Sequence, residues 1–282
     1  MTKNTIWVTG AAGRLGSALV QMLCQDTENK VIGTDRAEVN ITDLEAVDAA
    51  MDVYHPTVVI NCASMSDPEE CEKNMVEAFK INALGARNLA MATQRTNAKI
   101  IQMSTDDVFE GKSGIRLTEF DTPTPQTVYG KSKLAGENYV RELNPKHLVI
   151  RSSWVYGTGQ DDFMTRCLDR AKAGEAFEVP MDVISTPTSA LTLAKFVCLM
   201  LDHTEYGIYH ASCEGSCSRR SFAQEILRAY GYDDRLAEGV FAGEKATSTL
   251  LENLMMKMTG IYEMPHWKDD FDAYVKRHKE AI

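Results

Sequence analysis

Tyr129 and Lys133 are the pair whose types and spacing most directly suggest chemistry. They open a helical pattern, Tyr129-Gly130-Lys131-Ser132-Lys133, and residues four apart share a helix face. A nearby ammonium lowers a phenol's pKa from its usual value of about 10. Such a tyrosine can exchange a proton with a carbonyl or alcohol oxygen. Among the 10 tyrosines only Tyr129 has a lysine four residues on. The plain alternative is an amphipathic helix with a surface lysine. Just upstream, Ser104 and Thr105 end an apolar run. Their hydroxyls either polarise a carbonyl or bond the local backbone as a cap. Asp106 and Asp107 come next, as substrate-orienting groups, as acid or base, or as turn formers.

A second constellation lies near the start of the sequence. The apolar run from Ile6 to Val8 ends in Gly10-Ala11-Ala12-Gly13-Arg14-Leu15-Gly16, and a helical pattern follows at once. Glycines in a strand-turn-helix permit a tight turn, a close approach of backbone N–H groups to a pyrophosphate and close helix packing. Gly10, Ala12, Gly13, Arg14, Leu15 and Gly16 are therefore candidates for holding a dinucleotide. Asp35 lies about 20 residues beyond this turn, where an acid accepts hydrogen bonds from an adenosine ribose and favours NAD(H). Arg36 beside it suits a 2′-phosphate and favours NADP(H). Both cofactors stay open, with NADP(H) slightly preferred.

These residues need elements to position them. Short apolar runs at 5–8, 31–34, 58–61, 100–103 and 148–150 read as buried parallel strands. Helical patterns at 15–24, 44–51, 75–92 and 132–143 alternate with them, and Asp43 reads as an N-cap. The expected fold class is α/β, a doubly wound parallel sheet with a smaller C-terminal substrate lobe. Residues 1–157 form the dinucleotide-binding part, with part of 178–212 returning to it. Residues 158–177 and 213–282 form the lobe, mostly helical after Ser216. Helices are expected at 162–173 and 191–201, and a strand at 207–211. Ligands of such sheets sit at the carboxyl ends of the strands. This draws attention to Asn61, Cys62 and Ala63 after the third strand and to Ser152, Ser153 and Trp154 after the fifth.

Composition narrows the function. The 282 residues carry 44% hydrophobic and 25% charged residues, ordinary for a globular protein. The net charge of −10 argues against nucleic acid or an anionic membrane as partner. No signal peptide or membrane-spanning run is read, and 7 scattered cysteines suit the reducing cytoplasm. Cys213 and Cys217 lack the spacing of a metal site, so no metal is expected.

The ordered set GAAGRLG, NCAS, STDDVFEG, YGKSKLAGE, RSSWVYG and STPT resembles the extended short-chain dehydrogenase/reductases. More narrowly it is similar to the dTDP-4-dehydrorhamnose reductases, and the likeness spans most of the chain. The resemblance implies an NAD(P)H-dependent reduction of a nucleotide 4-keto-6-deoxy sugar, in dTDP-L-rhamnose biosynthesis. It implies Thr105, Tyr129 and Lys133 as the catalytic group, with Asn61, Ala63 and Asn82 lining or supporting the cofactor site and Trp154 flanking the sugar. A homodimer fits the same picture. The departures lie on the substrate side. The family usually has Tyr where Asp107 stands, an Arg-Pro pair where Lys245-Ala246 stands, and a Trp-Tyr pair where Arg219-Arg220 stands. Arg219 either holds a diphosphate or forms an exposed pair with Arg220, and the exposed pair is favoured. Lys245 is a further substrate candidate. Two other readings remain open: a nucleotide-sugar dehydratase or epimerase, because Thr105-Asp106-Asp107 resembles a Thr-Asp-Glu triplet, and a non-catalytic NADP-binding regulatory subunit of the same fold.

Overall fold

Apolar runs with no polar position between them cannot face water on either side, so they become interior strands. The computed structural model describes residues 4–111, 114–157, 162–243 and 247–280. It opens with β1 (Thr5–Thr9), α1 (Arg14–Leu23), β2 (Lys30–Thr34), α2 (Leu44–Tyr54) and β3 (Val58–Asn61). There follow α3 (Pro68–Lys73), α4 (Met75–Phe79), a π-helical segment (Lys80–Gly85), α5 (Ala86–Arg95) and β4 (Lys99–Thr105). A 3-10 turn (Asp106–Val108) leads to β5 (Arg116–Leu117), α6 (Val128–Leu143) and β6 (His147–Ser152). Next come β7 (Val155–Tyr156), α7 (Phe163–Lys172), β8 (Phe177–Pro180), β9 (Ile184–Ser185), β10 (Thr188–Ser189), α8 (Ala190–Leu199) and β11 (Gly207–His210). The chain closes with β12 (Cys217–Ser218), α9 (Arg219–Ala229), β13 (Ala237–Val240), β14 (Leu250–Leu251), α10 (Leu254–Thr259) and α11 (Trp267–Glu280).

The main sheet has the order β2-β1-β3-β4-β6-β11, and every neighbouring pair is parallel. This is the doubly wound, Rossmann-like arrangement expected from the alternation of strands and helices. Side chains alternate across it. Ile6 and Val8 pack with Leu19 of α1 and Ala194 of α8 on one face. Trp7, between them, packs with Val47 of α2, Leu89 of α5 and Val140 of α6 on the other. Both faces are covered, so the strands read as unbroken apolar runs. The chain leaves β1 outward to β2 and then returns past β1 to β3. A crevice therefore opens between the carboxyl ends of β1 and β3.

Two regions differ from the sequence reading. The single helix expected at 75–92 is broken into α4, the π-helical segment and α5, and α3 precedes it. The π-helical segment carries Asn82, whose Nδ2 donates to the Met65 carbonyl and to Ser132 Oγ, both at 2.9 Å. Such insertions re-aim one side chain without ending the helix. The stretch after Ser216 is less helical than expected. There β12, β13 and β14 pair with β9, β8 and β5. Strands of two to four residues leave no periodicity to read. All seven cysteines are free thiols. No helix among the described residues is long and apolar enough to cross a membrane.

A desolvated ion pair ties α6 to the sheet. Arg151 of β6 donates from Nε to Glu137 Oε1 at 2.9 Å and from Nη2 to Oε2 at 2.7 Å. The two side chains are 1% and 0% exposed. Ser104 Oγ of β4 donates to the same carboxylate at 2.5 Å. Removing one partner of a buried pair strands the other charge, which destabilises by about 3–5 kcal/mol. Glu137→Leu should lose about that much in urea unfolding. The double variant Glu137→Leu/Arg151→Met should recover most of the loss. Equal stabilities of the single variant and the parent would show that the pair is not holding α6.

Candidate active site

The glycine turn is shaped by close approach. Gly10 has φ of +66°, and a Cβ there would lie 2.6 Å from the Ala63 nitrogen. A Cβ on Gly16 would lie 2.1 Å from the Gly10 carbonyl oxygen. Neither position has room for a side chain, so β1, α1 and the end of β3 meet backbone to backbone. Gly13 is the N-cap of α1, which has no capping side chain, an arrangement that suits an anion. Asp35 at the end of β2 accepts from the Ala12 N–H at 2.9 Å. Arg36 reaches Glu77 at 3.5 Å, with its side chain 74% exposed.

Asn61 and Asn82 stand behind this wall and do not line the cleft. Asn61 accepts from Thr9 Oγ1 at 2.7 Å and from the Ala63 N–H at 3.2 Å. Asn82 accepts from the Met65 N–H at 2.9 Å. Both support the loop after β3.

The opposite wall is built from the end of β4 and the start of α6. Thr127 caps α6 by accepting from the Gly130 N–H at 3.0 Å. A Cβ on Gly130 would lie 2.1 Å from the Asp107 carbonyl oxygen, so the helix start presses directly on the 3-10 turn after β4. This contact brings Tyr129 beside Thr105, Asp106 and Asp107. Loss of water and the Asp107 charge push the Tyr129 pKa well above its ordinary value, with the nearby Thr105 hydroxyl opposing them. Lys133 makes its hydrogen bond elsewhere than to the phenol. Its Nζ donates to the Met103 carbonyl at 2.7 Å, deeper against the sheet. Burial pushes its pKa down to about 8, against the pull of Glu137 one turn on. Sharing a helix face put the two side chains together, but the strand carbonyl and not the phenol holds the ammonium.

Asp106 is buried, and Ser185 Oγ of β9 donates to its Oδ2 at 2.9 Å. Loss of water and the neighbouring Asp107 charge push its pKa up to about 7. Asp107 is pushed up by loss of water too, opposed by Thr105 and Arg219. Arg219 is not part of an exposed pair. Its guanidinium lies 3.5 Å from the Trp154 ring centroid and faces the two acids, and loss of water lowers its pKa to about 10. Arg220 turns elsewhere and donates to the Ala237 carbonyl at 3.1 Å. Trp154 itself holds a φ of +40°, a left-handed backbone rare for a bulky side chain.

One cleft of about 800 Å³ collects these groups. The six glycine-turn candidates line it with Asp35, Arg36, Cys62 and Ala63. So do Ser104, Thr105, Asp106, Asp107, Tyr129, Lys133, Trp154 and Arg219. Lys245 lies outside the described residues. Ser152, drawn from the end of the fifth strand, lines the cleft too, as do Ser185, Phe163 and Arg166, which the sequence did not single out as site residues. Ser185 comes from β9, where it opens the STPT motif, and Phe163 and Arg166 come from α7, which no motif marks. The Ser152 hydroxyl, at the end of β6, is buried with no hydrogen-bond partner.

The RmlD substrate binding domain family model matches residues 4–280. The chain belongs to that family. The resemblance read from the motifs is thus borne out. This RmlD-family chain is 33% identical, over 100% of its own length and 99% of the other's, to the spore coat polysaccharide biosynthesis protein SpsK of Bacillus subtilis. It superposes on a dTDP-4-dehydrorhamnose reductase from Clostridium acetobutylicum with a TM-score of 0.92 and 35% identity, covering 98% of this chain and 99% of that one. A dTDP-4-dehydrorhamnose reductase from Bacillus anthracis, solved in complex with NADP, gives a TM-score of 0.93 and 32% identity, with 98% and 99% covered.

The raised pKa of Asp106 has a consequence for stability. In the folded chain the carboxyl keeps its proton to about pH 7, whereas its ordinary value is 3.8. Between those values the folded state binds more protons than the unfolded one, so this group's contribution to stability falls as pH rises. The stability of the parent relative to Asp106→Asn should therefore decline across that window in urea melts. Parallel pH profiles for the two proteins would contradict the assignment.

Proposed function

We propose that the chain is an NAD(P)H-dependent reductase of a nucleotide 4-keto-6-deoxy sugar, acting as dTDP-4-dehydrorhamnose reductases do. One observation carries the reading: Tyr129 and Thr105 stand on one wall of a cleft whose other wall is the glycine turn. The residues fit a dinucleotide, because the packed glycines leave backbone where a pyrophosphate would lie. The glycine turn would hold the diphosphate, and Asp35 or Arg36 the adenosine ribose. Lys133 would hold the nicotinamide ribose. When bound, the reduced nicotinamide supplies a hydride to the carbonyl carbon. Tyr129 gives its phenolic proton to the carbonyl oxygen, and Thr105 orients that oxygen and steadies the phenolate left behind. Trp154 and Arg219 would hold the sugar nucleotide, Arg219 through its phosphates.

NADPH is placed first. Asp35 already accepts from the turn backbone, and Arg36 is exposed beside it. The Bacillus anthracis relative, solved with NADP, supports the same choice. The division into a dinucleotide-binding part at 1–157 and a lobe at 158–177 and 213–282 belongs to this proposal. So do a homodimer and a cytoplasmic location, the latter in keeping with seven free thiols.

The test is oxidation of NADPH and of NADH with a dTDP-4-keto-6-deoxy sugar, run beside Tyr129→Phe. The variant should lose about 10²–10⁴-fold in kcat while binding the cofactor as the parent does. Near-parental turnover would remove Tyr129 from the chemistry. Tight cofactor binding with recycling and no net consumption would favour a dehydratase or epimerase. Binding with no turnover on any such sugar would favour the regulatory subunit.

A further inference from the structure

Ser152 is 3% exposed, and its Oγ makes no hydrogen bond to any described residue. A buried hydroxyl of this kind has lost its bonds to water and gained none from the chain, which is costly and rare in native proteins. This one lines the cleft. The sheet register fixes where it stands. Ser152 of β6 is the lateral partner of Thr105 of β4, as Arg151 is of Ser104. Ser104 and Arg151 both turn to Glu137 of α6. Successive side chains of a strand point to opposite faces, so Ser152 turns the other way, toward the face that Met103, Ile150 and Leu193 share. Leu15 and Val155 pack on that same cluster, and both line the cleft with Met103, Leu193 and Ser152. The hydroxyl therefore stands at an apolar wall, one strand away from Thr105.

This position selects the ligand group. The sheet runs β1-β3-β4-β6, with neighbouring strands about 4.8 Å apart. A dinucleotide whose diphosphate rests on the glycine turn must extend along these strand ends to reach Tyr129. Its reactive end is a nicotinamide, a flat and largely apolar ring with one polar substituent, a carboxamide. That carboxamide sits on the ring carbon next to the one that carries the hydride. With the hydride-bearing carbon facing a carbonyl held at Thr105 and Tyr129, the carboxamide falls within one strand spacing of it. Ser152 lies at that spacing and offers both a donor and an acceptor. We propose that Ser152 Oγ anchors the nicotinamide carboxamide through a hydrogen bond. The inference rests on the dinucleotide part of the reductase reading. An anchored carboxamide keeps the ring from turning over about its bond to the ribose, so one face of the ring is offered to the substrate.

The experiment is a pair of binding titrations on the full chain, with NADPH and with 2′-phospho-ADP-ribose, the same molecule cut short before the nicotinamide. If the parent prefers NADH, the pair is NADH and ADP-ribose. Ser152→Ala should bind the complete dinucleotide about three- to tenfold more weakly, the worth of one neutral hydrogen bond. It should bind the shortened molecule as the parent does. Equal losses for both ligands, or no loss for the dinucleotide, would overturn the proposal. Thermal melts give a second reading without turnover. Free of cofactor, Ser152→Ala should melt no lower than the parent, because the hydroxyl it removes has no partner in the fold. With the dinucleotide added, its melting temperature should rise less than the parent's. A cofactor-free variant that melts well below the parent assigns the hydroxyl to the fold and refutes the anchor. A parent that binds neither dinucleotide refutes the cofactor reading and this inference with it. A parent that shows the selective loss in Ser152→Ala but reduces no keto sugar removes the reductase reading and leaves the anchor standing.

Discussion

The chemistry in this molecule depends on one desolvated contact: the Glu137–Arg151 pair that clamps α6 onto β4 and β6. A guanidinium and a carboxylate removed from water hold each other in a single geometry, because every other arrangement leaves a charge unpaired. Ser104 donates into the same carboxylate, so the end of β4 and the body of α6 cannot slide past one another. From that fixed seat the first turn of α6 reaches the 3-10 turn after β4, where Gly130 allows contact with the Asp107 backbone. Tyr129 and Thr105 meet because these two elements are locked, not because either loop is rigid by itself.

Scarcity of water is the second governing constraint, and it acts on every ionisable group at that wall in the direction its charge dictates. It moves Lys133 down to about 8 and Asp106 up to about 7. A cation and an anion that are ordinarily far apart in proton affinity are thus drawn toward neutrality from opposite sides. Proton exchange between groups of similar affinity near the working pH is easy, which is the condition for acid–base catalysis. Arg219 offsets part of the acid pair's charge while staying stacked on Trp154, so the substrate end of the cleft carries charge without an uncompensated buried ion.

Much of this was legible in the chain. The five apolar runs became five of the six strands of the parallel sheet, and 207–211 supplied the sixth as β11, because the inner strands are buried on both faces and the edge strands β2 and β11 are partly buried. The glycine turn was legible because glycine is demanded wherever backbones approach more closely than a Cβ allows. Asn82 was found by resemblance and Asn61 by its place at the end of the third strand as well, and both stand behind the cleft as supports. Less was legible after β6. Short strands such as β9 and β12 have no period to detect, so the bond from Ser185 to Asp106 and the cleft position of Arg219 went unread.

By itself the sequence determined the strands of the parallel sheet, the glycine turn after β1 and the placing of the site at the carboxyl ends of the strands. Those are local matters of periodicity, steric demand and chain order. Only the tertiary structure decided the electrostatics: that Lys133 turns to a strand carbonyl, that Asp106 and Asp107 face the phenol, and that Arg219 closes over Trp154. A side chain's charge neighbours and its share of water depend on what the rest of the chain places around it, and no spacing along one helix contains that information.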